Sequence, residues 1–560
     1  VLRVSNALIA MFSVTIITAC SVSGPDFDGV DKAALPEDWI GQDIRAGHDS
    51  KVNENLLSGW KTARWWMQFD DPVLDRLVEK AANQNLDLES AGLRIVQARA
   101  ALGVADSFRY PQRQTVSGSL AKIYQNENTF DNASLSFDAG WELDVWGKYA
   151  RSIESAEASL YASVASYHDI LVSITAEVAR NYVNYRTFQE RVLLSERNID
   201  IQDRVVKITE VQFESGNVTE LDVQQARTQL YNTKSALPGL KIGMMQSRNA
   251  LAVLLGILPA EAEQLLASAT IDAKIKAFDE KYSASRSQQK LTGYDQYSLI
   301  PRPPAVRTVV DASLVLRRPD LQVAEFQAHA RSAQIGVAET ELYPNFSLFG
   351  AIGINSTVKA GNDFSFSDSL TLSLGPAFSW NIFQYGRVEN NIRLEDARFQ
   401  ESLTNYNKRV LLAVQEVSNA LETYQFNQQQ KSLAFSSVNA SVRAFNISLT
   451  QYENGQITFE RLLSSIEKMT RSEDAYAQIK GSVANQVVAL YKSLGGGWEA
   501  NSGRAYLQPE LAEEMEARTD WGDMLANPVL PSLTPAPTIK ADIPYADRES
   551  VESANSTRGP

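Results

Sequence analysis

Residues 133–146 read Ala-Ser-Leu-Ser-Phe-Asp-Ala-Gly-Trp-Glu-Leu-Asp-Val-Trp. Every odd position is apolar, and the even positions up to Asp144 are small or polar. Alternation with period two is the pattern of an extended strand with one greasy and one wet face. Strands of soluble proteins are mostly about half this long. A tilted strand crossing a bilayer uses about 9–11 residues, with lipid on one face and lumen on the other. The pattern returns at 370–382, where Leu370, Leu372, Leu374, Pro376, Phe378, Trp380 and Ile382 alternate with small or polar residues. Shorter partner strands are expected at 115–124 and 346–355, giving hairpins over 112–146 and 345–382. The alternative at this point is a long strand pair in a soluble sandwich.

After each hairpin the period changes. Residues 148–215 and 387–454 contain no Gly or Pro. In the first of these, Ile153, Leu160, Val164, Leu171, Ile174 and Val178 recur at steps of three, four and seven, the seam of a helix packed alongside others. At 1.5 Å per residue such a helix is about 100 Å long, a rod that no compact domain accommodates. Shorter helices are expected at 86–109, 217–255, 320–342 and 456–494. Stacked end to end in pairs, they nearly match one long helix. Pro238-Gly239 is expected to bend or loosen the helix at 217–255. A dimeric coiled coil with no pore is the rival for these helices taken alone.

The chain repeats itself. Gly103-Val104-Ala105-Asp106 leading to Tyr110-Pro111 recurs as Gly336-Val337-Ala338-Glu339 leading to Tyr343-Pro344, at an offset of 233 residues. Trp141-x-Leu143-x-x-Trp146-Gly147-Lys148 recurs as Trp380-x-Ile382-x-x-Tyr385-Gly386-Arg387 at an offset of 239, which Phe213-x-x-Gly216 and Tyr452-x-x-Gly455 keep. The change of offset places a longer loop in the second hairpin. Two units, 61–255 and 305–494, thus flank a central segment 256–304, and each reads helix, hairpin, long helix, tight turn, helix. Four strands do not close a barrel, since membrane barrels begin at about eight. An open edge in lipid leaves unpaired N–H and C=O groups, each costing several kcal/mol. A membrane reading therefore demands a homo-oligomer that shares one barrel. No segment beyond residue 20 has the roughly 18 apolar residues of a spanning helix.

Charge and composition narrow the classes. The 560 residues carry a formal net charge of −14, which argues against a nucleic-acid partner. Cys20 is the one cysteine, so no intrachain disulfide forms. His48, His168 and His329 show no metal-ligand spacing. Neither a G-x-S-x-G, an H-E-x-x-H nor a phosphate-cradling loop is present, so no enzyme activity, metal or cofactor is expected. Arg3 followed by the apolar run 7–17 reads as a signal peptide over 1–19. Ile17-Thr18-Ala19-Cys20 resembles the bacterial lipobox, which implies a covalent lipid on Cys20, and Ser21 after it implies sorting to the outer membrane. Residues 20–60 read as an extended tether. After Gly495-Gly496-Gly497 the pattern stops, and 495–560 is expected to be largely disordered apart from a short helix at 511–517.

Several linked motifs resemble one family. Trp65-Trp66-x-x-Phe69-x-Asp71-Pro72-x-Leu74-Asp75-x-Leu77-Val78 opens the resemblance, followed by Asn85-x-Asp87-Leu88 and Gln97-Ala98-Arg99-Ala100. Leu237-Pro238-Gly239 and Leu251-x-x-Leu254-Leu255-Gly256-x-x-Pro259 continue it, and Leu316-Arg317-Arg318-Pro319-Asp320 with Ala324-Glu325 opens the second unit. From about residue 65 to 494 the chain resembles the TolC/OprM-like bacterial outer-membrane efflux channels, in their NodT-type lipoprotein branch. The resemblance implies a mixed α/β membrane protein: a homotrimer with a shared twelve-stranded barrel, four strands per protomer, above a long α-helical periplasmic tunnel. It implies a passive exit duct for drugs and other small molecules. Its partners would be a periplasmic adaptor protein, an inner-membrane pump of RND type and outer-membrane lipids. A TolC-like duct for type I protein secretion is the alternative within transport.

Three sets of residues are candidates for the work. The resemblance assigns adaptor contact to two tips: Phe213, Gly216, Val218, Thr219 and Leu221 at the first, and Tyr452, Gly455, Gln456 and Ile457 at the second. The glycines supply the positive φ of a tight turn, and Thr219 is placed to cap the returning helix. The family closes its tunnel just past the second tip, which here points to Glu460, Ser464 and Glu467. Ser464 stands where an aspartate is common and Glu467 where an arginine is common, so Arg461 is the candidate replacement cation. A solvated acidic helix face is the competing reading. Trp141, Trp146 and Trp380 suit an aromatic belt at the membrane interface or packing between barrel and helices.

Overall fold

The computed structural model describes residues 22–30, 62–288, 298–306, 315–359, 369–501 and 504–525. Cys20, the signal segment, His48 and the loop of the second hairpin lie outside the described residues. The four strands are β1 (Arg113–Gln125), β2 (Asn128–Leu143), β3 (Asn345–Lys359) and β4 (Leu370–Ser379). They form one antiparallel sheet in the order β1-β2-β3-β4. The first hairpin is longer than its alternation suggested. It turns at Asn126 and Glu127, both with positive φ, the two-residue turn whose twist matches paired strands. β2 stops at Leu143 and β4 at Ser379, short of the expected 146 and 382. After β2, the Asp144 carboxylate accepts from the backbone N–H groups of Tyr149 and Ala150 at 3.0 and 2.8 Å, so the chain is already capping the next helix.

Ten α-helices are described: α1 (Pro72–Gln84), α2 (Leu86–Ser107), α3 (Lys148–Glu214), α4 (Glu220–Leu254), α5 (Pro259–Leu266), α6 (Ala269–Gln288), α7 (Pro319–Thr340), α8 (Arg387–Glu453), α9 (Phe459–Ser493) and α10 (Pro509–Glu516). The long helices α3 and α8 are 67 residues each. α4 runs through Pro238, which lies on its exposed side with Gly239, where the lost N–H bond faces water. No single described helix is long and apolar enough to cross a membrane.

Helix order follows strand order. Next to the sheet, α2, α3, α7 and α8 lie side by side, each joined to its own strand. At the far end α4 packs on α3, and α9 packs on both α3 and α8. The short helices are stacked, and the repeat is visible at the joints. Asn85 caps α2, its Oδ1 accepting from Leu88 N at 3.0 Å, while its Nδ2 donates to the last carbonyl of α4, Leu254 O, at 2.8 Å. Arg318 precedes α7 and donates to the last carbonyl of α9, Ser493 O, at 2.8 Å. Each joint thus satisfies a carbonyl that a helix end leaves unpaired.

The Trp65-Trp66 opening is explained by packing. Trp65 is fully buried and stacks on Tyr491 at 5.2 Å. Asp71 caps α1 through the Val73 and Leu74 N–H groups and accepts from Tyr182 Oη at 2.8 Å, with Pro72 at the position that needs no donor. The C-terminal extension departs from expectation. Residues 504–525 are folded onto α1 and α2: Tyr506, Leu507, Met515 and Leu525 join the core around Trp65 and Leu77. A Cβ at Gly92 would meet Tyr506 O at 2.1 Å, so glycine is required where this strap crosses α2. Arg99 lies 5.1 Å over the Tyr506 ring. The acidic, Pro-rich composition concealed four apolar anchors that suffice to order a short segment. Residues 526–560 lie outside the described residues.

Candidate functional site: an open-edged sheet and two unlike helical tips

The sheet has one continuous apolar face. Val116 pairs with Phe137, Phe137 with Ile352, and Ile352 with Leu372, so one row crosses all four strands. Its side chains point away from the protein: Leu372 is 76% exposed and Leu374 is 84% exposed. The other face is hydroxylic, with Ser117 and Ser119 bonded to Ser136 and Ser134 at 2.9 and 2.8 Å. A greasy face of this extent turned outward marks an interaction with membrane or protein. β1 and β4 are paired on one side only, leaving two open edges. At the sheet–helix junction, Trp141 Nε1 donates to Arg109 O at 3.2 Å and Trp380 Nε1 to Leu342 O at 3.0 Å, the same bond in both repeats. Both rings remain partly exposed. Trp146 is set further in, donating to Pro344 O at 2.8 Å and stacking on Tyr343.

At the opposite end the two tips differ. Gly216 has φ +74 and Gly455 has φ +68, and open space surrounds both positions. Each turn closes with the same pair of backbone bonds, Asn217 N to Gln212 O with Gly216 N to Phe213 O, and Gln456 N to Gln451 O with Gly455 N to Tyr452 O. Asp222 accepts from both Thr219 N and Thr219 Oγ1 at 2.9 Å, a capping box. Thr458 has no such partner, because Arg461 stands where Asp222 would be. Phe213 is 44% exposed and Leu221 is 65% exposed. Val218 and Ile457 are half-buried against the tip's core, and Gln456 is exposed. Tyr452, expected on the contact surface, is buried at 2% exposure and donates to Thr209 Oγ1 at 3.3 Å. It belongs to the packing that holds the two tips together.

Glu460, Arg461 and Glu467 are exposed and Ser464 is half-buried on α9. None of the four bonds to another described residue. What the sequence did not single out is a buried charge latch further up α9. Glu473, 1% exposed, pairs with Arg197 and accepts from Asn198 Nδ2 at 3.1 Å. Lys480 pairs with Glu190, whose carboxylate also accepts from Ser298 Oγ and Leu299 N at 2.8 and 2.9 Å. Arg191 adds a two-pronged pair to Asp474. The latch ties α9 to α3 and ties the central segment to both. Its residues recur along one side of each helix at steps of about seven, a signal that was present but shared with ordinary solvated faces. Among the described residues no group of three or more His, Cys, Asp or Glu side chains is placed to hold a metal ion.

A helical rod continuous with a four-stranded sheet whose apolar face turns outward defines an outer-membrane channel protein that reaches into the periplasm. The chain belongs to the outer membrane efflux protein family, whose model matches residues 77–257 and 312–496. It is an outer-membrane exit duct for efflux. It is similar to the pyoverdine export outer membrane protein OpmQ of Pseudomonas putida, 28% identical over 87% of this chain and 96% of the relative. It is also similar to nodulation protein T of Rhizobium leguminosarum bv. viciae, 26% identical over 90% of this chain and 94% of the relative. Among solved structures, the outer-membrane channel OprN superposes with a TM-score of 0.70 at 30% identity, covering 85% of this chain and 99% of OprN.

Proposed function

We propose that three copies close side by side, β4 of each pairing with β1 of the next, into a twelve-stranded barrel above a helical tunnel. The observation that carries this reading is the sheet with an outward apolar face and two unpaired edges, which lipid does not tolerate in a single chain. A lipid on Cys20 anchors the N-terminus, and the described segment 22–30 then runs along the helices below the sheet. The duct is passive. Its energy comes from an inner-membrane pump of the RND type, engaged through a periplasmic adaptor that meets the exposed tip residues Phe213, Gly216, Thr219, Leu221, Gly455 and Gln456. The ring of Glu460, Arg461, Ser464 and Glu467 narrows the mouth, where carboxylates brought together around an axis repel unless a cation lies between them.

The test uses two cysteines in the otherwise full chain carrying Cys20: one replacing Ser117 on β1 and one replacing Ser373 on β4, treated in membranes with a flexible thiol cross-linker. The expected product is a ladder ending at three chains, seen only when both cysteines are present. Monomer alone under those conditions overturns the shared barrel.

A further inference from the structure

Below the sheet, a cavity of about 790 Å³ runs across all four helices α2, α3, α7 and α8. It continues through Gln327, Ser402 and Asn405 into a second hollow of about 480 Å³ along α7 and α8. On α7 the trough lies on the side turned from the N-terminal segment. On α7, Phe27 stacks on His329 and Gly24 abuts Gly336. At about 100° per residue those two positions coincide to about 20°, and Gln327, Ala330 and Gln334 point about 100–180° away from them.

The trough is lined by cations and hydroxyls. Arg94, Arg331 and Lys408 line it without an ion pair to any described residue. Arg398 lines it too, paired with Glu395, and Arg409 lies near the half-buried Asp169, whose carboxyl pKa is raised by its partial removal from water. The carboxylates are fewer. Asp320 and Glu416 are both engaged by Arg318, and Glu401 is the one left over. Ser155, Ser159, Ser163 and Ser166 form a stripe along α3 between Arg94 on α2 and Arg331 on α7, the first three donating to the backbone carbonyls of Ala330, Ser155 and Ser159. This surplus of positive charge sits in a chain whose net charge is −14. A hollow further down, lined by Asn427, Gln430, Gln478, Asn485 and Gln486 with Arg471 and Asp474, is dominated by neutral amides.

We infer that the trough is a cationic vestibule of the duct, a surface that gathers anionic solutes bearing carboxylate or phosphate groups. A concave wall lined by one sign of charge focuses field and raises the local concentration of the opposite sign. The guanidinium groups bind such oxyanions in two-pronged fashion. In an assembly the surplus is repeated in every protomer. The inference rests on the duct reading, since the trough faces a lumen only if the copies close into a ring.

The test is current block in planar bilayers holding the purified full-length protein, with inorganic pyrophosphate added on the barrel side at about 0.1 M salt, where screening sets in at about 10 Å. The triple variant Arg94→Gln/Arg331→Gln/Lys408→Gln is compared with the charge-keeping Arg94→Lys/Arg331→Lys/Lys408→Arg. The expected result is a half-blocking concentration raised by about tenfold or more in the neutral variant and nearly unchanged in the charged one. Equal block in the neutral variant and the wild type overturns the vestibule while leaving the duct in place. A wild-type protein that forms no pore overturns the duct reading and the vestibule with it.

Discussion

The two long helices have the same length, the same place in the repeat and opposite surroundings. In α3, 33 of 67 residues are buried; in α8, 12 of 67 are. Equivalent positions show the difference directly. Val172 and Leu194 on α3 are buried, and Leu411 and Leu433 on α8 are 69% and 71% exposed. α3 lies between α2 and α4 on one side and α7 and α9 on the other, whereas α8 has neighbours on one side alone. The opposite flank, α2 and α4, likewise exposes Val104, Tyr231, Ile242 and Val253. One apolar pattern therefore meets two surroundings: the first copy is covered within the chain, and the second is the flank that the proposed assembly covers with a neighbour. In that proposal the two unlike flanks meet head to tail, the kind of contact that closes a ring.

The sharpest way to break this contrast is to place one charge at each of two equivalent sites. Leu194→Asp buries an unpaired carboxylate inside the protomer and is expected to abolish folding. Leu433→Asp is expected to leave the helices intact while the copies fail to assemble. Circular dichroism and light scattering on the two purified variants separate the outcomes, and identical behaviour contradicts the contrast. Next in size is the latch. Glu473→Ala leaves the Arg197 guanidinium buried without its carboxylate, which costs about 3–5 kcal/mol. The equivalent first-repeat position is the exposed Lys234, and Lys234→Ala is expected to change stability by less than about 0.5 kcal/mol. Urea unfolding of both variants measures this pair.

A smaller, pH-dependent effect is expected at His168 on α3. His168 is buried against Trp498, and burial lowers its pKa from the ordinary 6.5 to about 4. The folded state therefore resists the proton that the unfolded chain accepts. Its stabilising share is complete above pH 6.5 and is lost as pH falls toward 4, by up to about 3 kcal/mol. The stability difference between wild type and His168→Gln should shrink over that window, and a difference that stays flat with pH contradicts it. Smallest is the cap at the first tip. Asp222→Ala removes the capping box and is expected to cost about 1 kcal/mol, with faster amide exchange confined to the start of α4. Arg461→Ala at the second tip has no such bond to lose.

Much of the architecture was legible because long elements with one period leave little choice. The alternation at 133–146 and 370–382 and the Gly- and Pro-free runs after them each admit one secondary structure, strand and then helix, though not one assembly. The element ends were less legible. β2 yields to the Asp144 cap three residues before the alternation stops, and α4 begins at Glu220 because Thr219 and Asp222 cap it there. The strap at 504–525 was hidden because its anchors, Tyr506, Leu507, Met515 and Leu525, follow no period. Tyr452 and Phe213 hold equivalent places in the repeat and the resemblance assigned both to the contact surface, yet only Phe213 is exposed. A repeat gives equivalent sequence positions, and packing decides which copy of each is covered. The latch and the trough needed coordinates, since charged stripes on helices look alike until it is known what they face.

The central claim is that the uncovered flanks of this chain meet each other. The most direct measurement is the protein mass of the detergent-solubilised, full-length particle, by native mass spectrometry or by light scattering corrected for bound detergent. The account predicts a single species of three chains, with Leu433→Asp reduced to one. A wild-type particle of one chain, stable with both flanks and both sheet edges open, would contradict it.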